Sequence, residues 1–345
     1  MIRVLVVDDS PTARELLAAI FEADPDLAVV GMAADGDEAV EMTEALRPDV
    51  ISMDAQMPRM GGLEATRVIM SRVPTPIVIV SASFVAGEVS DAMQALRAGA
   101  LAVIGKPRGP GAPDFDAMSR EVCETVKNMS QVKVIRHWAT DSPVPPPRLA
   151  ARRAGTRPQL IAIAASTGGP AVLSEILREL PVAFPLPILV VQHIAIGFAA
   201  GFATWLDSVV PLEVKVPRNG EGLRAGTVYV APDDAHMGLA DRRTVRVEPG
   251  PPIAGFRPSA TYLFESAARM YGAEALGIIL TGMGTDGVDG LQELSRRGGE
   301  VIAQDETSSV VYGMPGAAVA AGVTTSVLPT SAIAALLRDQ FSHPA

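Results

Sequence analysis

Short apolar runs, each ending on a polar residue or a glycine turn and followed by a stretch of helical spacing, constrain this chain more than any other feature. IRVLVV (2–7), LAVVGMA (27–33), VISMD (50–54), PIVIVSA (76–82) and LAVIGK (101–106) are short for buried helices and nearly continuous in their hydrophobicity. Such runs, alternating with amphipathic helices, predict an α/β fold, with a doubly wound, flavodoxin-like parallel sheet over residues 1–125. The pattern resumes at LIAIAA (160–165), LPILVVQHI (186–194) and ALGIILTG (275–282). A second doubly wound, Rossmann-like sheet is therefore expected over residues 158–345, with EVKV, TVYVAP, HMGLA and TVRVEP as a small β extension at its side. Helices are expected at IGFAAGFATWLDSVV and over about 260–272. Between the two domains, residues 126–157 contain SPVPPPRLAARRAGTRP, whose prolines and scattered arginines predict an extended, solvated connector. Arg148, Arg152, Arg153 and Arg157 there offer charge to an acidic partner, although a solvated tether explains them better. Trp138, at the start of the connector, is expected to pack against one domain.

Composition narrows the function classes. A chain of 345 residues can bury two cores, and 48% hydrophobic with 20% charged residues is the profile of a globular protein. A formal net charge of −10 argues against nucleic-acid binding, which needs an excess of Lys and Arg. The single cysteine, Cys123, excludes an intramolecular disulfide framework and a cysteine-rich zinc site, so a reducing compartment fits. No apolar run approaches spanning length, and the start MIRVLVVDDS lacks a basic region leading to a cleavable apolar segment. Cytoplasmic location without direct membrane insertion is the expectation.

In parallel sheets, polar residues at strand ends gather on one rim, where ligands bind. In the first domain Asp8 and Asp9 end the first strand, Asp54 ends the third, Ser81 lies near the end of the fourth, and Lys106, followed by Pro107, ends the fifth. Carboxylates gathered in this way repel one another unless a hard cation sits among them, and Mg²⁺ takes such oxygen ligands. With that charge and the Lys106 ammonium neutralising an incoming phosphoryl group, Asp54 could attack it while Ser81 hydrogen-bonds a phosphoryl oxygen. Acids that merely cap helices are the plainer alternative.

The second domain repeats the arrangement with different chemistry. Ser166 ends LIAIAA and is followed by Thr167, two glycines and Pro170, a strand-to-helix turn in which a serine is either a nucleophile or an ordinary cap. His193 ends the run LPILVVQ, and Asp286 lies in GMGTDG just past ALGIILTG. A serine hydroxyl is a poor nucleophile alone, an imidazole can take its proton, and a carboxylate can fix the imidazole tautomer. His236 and His343 compete for the base role, but neither ends a long apolar run. The GxSxG elbow is absent, since Ala164 stands at its first glycine position, and the order Ser, His, Asp disfavours an ordinary lipase or esterase.

The first domain closely resembles the receiver domains of two-component response regulators. That likeness makes Asp54 the phosphoacceptor, with Asp9, Asp54 and the Gln56 carbonyl binding Mg²⁺ and Asp8 assisting. It departs at Val103, where receivers usually carry an aromatic residue. AASTGG, VVQH, GFRPSATYLFES, ILTGMGTDG and AQDETSSVVYGMPGAA, in this order behind a receiver, resemble the chemotaxis response-regulator protein-glutamate methylesterases. The resemblance implies a phosphorylation-activated hydrolase of glutamyl methyl esters on methyl-accepting chemoreceptors, with some members deamidating receptor glutamines. It implies a chemotaxis histidine kinase as phosphodonor, the triad Ser166, His193 and Asp286, and the Thr167 hydroxyl and Met283 amide as oxyanion donors. No cofactor is implied at the hydrolase site. The chain departs from the family's usual residues at 194–199 and at Phe256, where histidine is common. By the regulatory expectation, the unphosphorylated receiver covers the Ser166 rim. An adaptor or phosphate sink that binds receptors without turnover, or a hydrolase of a non-receptor ester, is the alternative.

Overall fold

A computed structural model describes residues 1–81, 94–96, 98–132 and 157–341. The chain divides into two compact units, Met1–Thr140 and Asp141–Ala345. Trp138, Arg148, Arg152, Arg153 and His343 lie outside the described residues, whereas Arg157 is described and exposed. No described helix is long and apolar enough to cross a membrane.

The first unit is built on β1 (Ile2–Val7), β2 (Leu27–Ala33), β3 (Val50–Met53), β4 (Ile77–Ser81) and β5 (Ala102–Gly105), all pairing parallel in the order β2-β1-β3-β4-β5. Each lies within an apolar run read from the sequence. Helices α1 (Pro11–Glu22), α2 (Gly36–Leu46), α3 (Gly62–Arg72) and α4 (Phe115–Ser130) accompany the sheet. Their starts follow local chemistry: Ser10 accepts a hydrogen bond from the Ala13 amide ahead of Pro11, and Asp35 accepts one from Glu38. Since α4 continues past residue 125, a boundary there would cut a helix. Val103 is buried in β5.

The second unit carries a seven-stranded parallel sheet in the order β14-β13-β12-β6-β7-β9-β8. Its strands are β6 (Leu160–Ala165), β7 (Ile188–Gln192), β8 (Glu213–Lys215), β9 (Thr227–Val230), β12 (Ala275–Ile279), β13 (Glu300–Gln304) and β14 (Ser326–Leu328). The expected β extension is smaller than the sequence suggested. Only β10 (His236–Asp241) and β11 (Thr244–Glu248) form a separate antiparallel pair, while EVKV and TVYVAP supply β8 and β9 at the edge of the main sheet. Periodicity cannot distinguish the two placements, because an edge strand and a hairpin strand carry the same short apolar signal.

Six α-helices are found among the described residues of this unit: α5 (Gly169–Arg178), α6 (Ala199–Val209), α7 (Ala260–Tyr271), α8 (Val288–Arg296), α9 (Met314–Ala320) and α10 (Thr330–Phe341). The core joins β6, β7 and β12 to α7 through fully buried Leu160, Ala162, Ala164, Leu189, Val191, Ile279, Leu263 and Phe264. Full burial of a side chain the size of Phe264 contributes roughly 3 kcal/mol. Strands β12, β6 and β7 are adjacent, yet the chain runs from β6 outward to β7 and returns later to β12. That reversal opens a crevice at their carboxyl ends.

Candidate functional site

Ser166, His193 and Asp286 each follow one of those three neighbouring strands. The register pairs Ala165 with Gln192, so Ser166 and His193 are the next residues out on strands about 4.8 Å apart. The His193 amide donates to the Ala165 carbonyl at 2.9 Å, which continues the ladder to the rim. Ser166 is pinned by its own backbone: its amide donates to the Thr281 carbonyl at 3.0 Å, and its carbonyl accepts from the Gly169 amide at 2.8 Å. Gly168 opens α5 at φ +78, a left-handed conformation that a side chain would strain, and this lets the chain turn directly from Ser166 into the helix.

The Asp286 carboxylate is buried. It receives the Ser259 hydroxyl at 2.9 Å, the Ala260 amide at 2.7 Å and the Thr261 amide at 3.1 Å, so it sits on the first turn of α7 where the helix offers unpaired donors. His193 Nε2 lies 2.9 Å from Asp286 Oδ2. Burial opposes ionisation, but the hydrogen bonds from His193, Ala260 and Thr261 outweigh it and hold the carboxyl at about 2. An ionised carboxylate only accepts, so Nε2 must carry the hydrogen. Nδ1 is then the acceptor, and it is buried without a hydrogen-bond partner among the described residues. An imidazole oriented in this way by a carboxylate is ready to accept a proton on Nδ1.

The surroundings include groups whose contacts sequence reasoning did not foresee. Phe256 stacks on the His193 ring with centroids 4.4 Å apart and planes 15° apart. The rival histidine, His236, is buried one step behind the site. Its Nδ1 accepts the Ser259 amide at 3.2 Å and its Nε2 faces the Pro251 carbonyl at 3.0 Å, so it braces the residue that holds Asp286. Gln304 is fully buried, and its Oε1 accepts the Thr281 amide at 2.7 Å. Thr281 Oγ1 in turn donates to the Thr167 carbonyl at 2.9 Å. A Cβ on Gly282 would meet Ser166 Cβ at 2.7 Å, so the backbone approaches the serine more closely than any side chain allows. Met283 follows that glycine, and Thr167 follows Ser166. The available signals were a polar residue inside each of two apolar strands (Gln192 and Gln304) and a serine three residues past Phe256. Neither pattern specifies a partner.

The first unit gathers its predicted residues as well. Asp8 and Asp54 are buried and Asp9 is exposed, and one ligand oxygen from each lies within 4.8 Å of the others. The Lys106 ammonium is 2.6 Å from Asp8 Oδ2 and 2.9 Å from Asp54 Oδ2. Burial raises the Asp54 pKa, with the Asp8 charge adding to it and Lys106 and the Gln56 amide offsetting part. Three oxygen donors at this spacing suit a hard divalent cation. Ser81 is buried at the end of β4, and its carbonyl accepts the Lys106 amide at 2.7 Å, while Gln56 is exposed on the loop after β3.

Comparison with known proteins matches the two units separately and together. Residues 161–337 match the CheB methylesterase family, and residues 4–112 match the response regulator receiver domain. The chain is 54% identical over 344 residues to protein-glutamate methylesterase/protein-glutamine glutaminase 4 of Myxococcus xanthus, covering 99% of this chain and 97% of that one. It is also 54% identical over 336 residues to protein-glutamate methylesterase/protein-glutamine glutaminase 3 of Anaeromyxobacter dehalogenans, covering 97% of each. Among solved structures, the Thermotoga maritima CheB methylesterase catalytic domain is 37% identical, with a TM-score of 0.52, over 53% of this chain and 99% of that one.

Proposed function

The chain belongs to the CheB methylesterase family, with a response regulator receiver domain ahead of the catalytic domain, and we propose that Ser166, His193 and Asp286 carry its hydrolysis of glutamyl methyl esters. It is a protein-glutamate methylesterase/protein-glutamine glutaminase of chemotactic adaptation, as its full-length relatives are named. Its substrates on this reading are the methylated glutamyl side chains of chemoreceptors, and its phosphodonor is a chemotaxis histidine kinase.

The observation that carries the assignment is the orientation of His193, with Nε2 on the ionised Asp286 and Nδ1 left without a hydrogen-bond partner among the described residues. Ser166 Oγ attacks the ester carbonyl carbon while its proton passes to Nδ1. The imidazolium, stabilised by Asp286, returns that proton to the methoxy oxygen as the carbon–oxygen bond breaks, and methanol leaves. Water then attacks the acyl carbon while giving a proton to Nδ1, and that proton passes to Ser166 Oγ as the carbon–Oγ bond breaks, which releases the glutamate and restores the serine. On this reading the Thr167 hydroxyl and the Met283 amide serve as the donors to the oxyanion. A glutamine side chain follows the same course, with ammonia as leaving group.

In the receiver, Asp54 is the phosphoacceptor. Asp8, Asp9, Asp54 and the Gln56 carbonyl would hold a Mg²⁺ ion, which supplies charge neutralisation for the transferring phosphoryl group. On this reading Lys106 and Ser81 contact the phosphoryl oxygens.

Purified protein is expected to release methanol from methylated receptor, and to do so faster with a small phosphodonor and Mg²⁺. Absence of release from every methylated receptor tried would overturn the reading. A pure adaptor has no use for an activated serine, so stoichiometric labelling of Ser166 by a serine-reactive phosphonate separates the two alternatives.

A further inference from the structure

Gln192 is the last residue of β7, immediately before His193, and only 4% of it is exposed. Its side-chain amide nitrogen donates to two carbonyls at once, Ser166 O at 2.8 Å and His193 O at 2.8 Å. Reversing the amide would set an oxygen against both carbonyls, so the donor assignment follows from the acceptors themselves. The other end of the group, Oε1, is buried without a partner among the described residues. Leaving a buried amide oxygen unpaired is costly, and packing around an apolar residue of the same shape would avoid that cost. A Cβ on Gly169 would fall 2.0 Å from Oε1, so the turn after Ser166 is shaped around this side chain.

We propose that Gln192 is a positioning residue for the hydrolysis, a clasp that sets the separation of Ser166 from His193 by holding the carbonyls of both. The proposal rests on the assignment of those two residues as nucleophile and base. Strand pairing ends at Ala165 and Gln192, and past that point the chains diverge, Ser166 into a helix and His193 into a loop. The last bond of the ladder runs from the His193 amide to the Ala165 carbonyl, and the ladder does not tie the carbonyls of Ser166 and His193 together. One nitrogen bonded to both carbonyls does so, and a reacting pair displaced by about 1 Å can lose on the order of 100-fold in rate.

The test compares Gln192→Met and Gln192→Glu with wild type and Ser166→Ala in the full chain. It measures methanol release from methylated receptor, the rate of inactivation by a serine-reactive phosphonate, and the thermal midpoint. Both Gln192 variants are expected to lose roughly 30- to 100-fold in kcat with KM within about twofold, and to react more slowly with the phosphonate, while folded at the assay temperature. The clasp is refuted if either folded variant keeps kcat within twofold of wild type. It is equally refuted if the loss falls on KM, or if it only tracks the fraction unfolded. Should one variant fail to fold, the other decides. If Ser166→Ala is as active as wild type, the nucleophile assignment has failed instead, whatever the Gln192 variants do.

Discussion

The orientation of the His193 ring depends on one carboxylate, Asp286, which accepts from four donors in all. Asp286→Asn removes the acceptor that keeps hydrogen on His193 Nε2, and a tautomer loss of this kind is expected to lower kcat by about 10³- to 10⁴-fold, read by methanol release at saturating receptor. The same carboxylate contributes to stability in a defined window. Its pKa is about 2 in the folded chain against 3.8 ordinarily, so the folded state favours the ionised form. That contribution, on the order of 2 kcal/mol, is complete above about pH 4 and is lost as pH falls toward 2. Chemical denaturation across that range should show wild type losing stability that Asp286→Asn does not lose, and parallel curves would refute the assignment. Ser259→Ala strips one donor and the cap of α7 together, and should cost about 1–3 kcal/mol by the same measurement. Of these residues Ser166, His193 and Asp286 stood out in the sequence because each follows an apolar run. The contacts of Ser259, His236 and Phe256 did not, because their meaning lies in what they touch across the fold.

At the scale of elements, α7 does two things: its apolar face fills the core through Leu263 and Phe264, and its first turn holds Asp286. The position of that turn depends on close contact with α8. A Cβ on Gly290 would come within 2.6 Å of the Thr261 carbonyl and 2.8 Å of Phe264 Cβ. Because backbone cannot yield as a flexible side chain can, Gly290→Ala is expected to push the helices apart, at a cost of about 1–3 kcal/mol. It should also draw the Ala260 and Thr261 amides away from the carboxylate, so that kcat falls further than stability alone explains. Unchanged kcat in a folded Gly290→Ala protein would show that the helix turn tolerates displacement. The strands themselves were legible as apolar runs. The membership of β8 and β9 in the main sheet was not, since a short amphipathic strand carries no mark of the edge it will join.

For the whole molecule, the consequence of joining a receiver to a hydrolase is control by phosphorylation. Asp54→Asn is expected to keep basal methanol release and to lose its stimulation by phosphodonor and Mg²⁺; stimulation that persists would place the phosphoacceptor elsewhere. Removing residues 1–140 rather than 1–125 spares α4 from being cut, and the remaining chain should show raised basal release. A truncated form slower than the full chain would make the receiver an activator and not a restraint. Sequence alone determined the two α/β units, the strands and the rim on which chemistry gathers, because burial and periodicity are local properties of a chain. Only the tertiary structure decided which ring nitrogen of His193 meets Asp286, that Phe256 covers the ring, and that Gln192 joins the carbonyls of Ser166 and His193. Those contacts join segments far apart in the chain or turn a side chain toward a particular atom, and hydrogen-bond geometry of that kind exists only once the strands are in register.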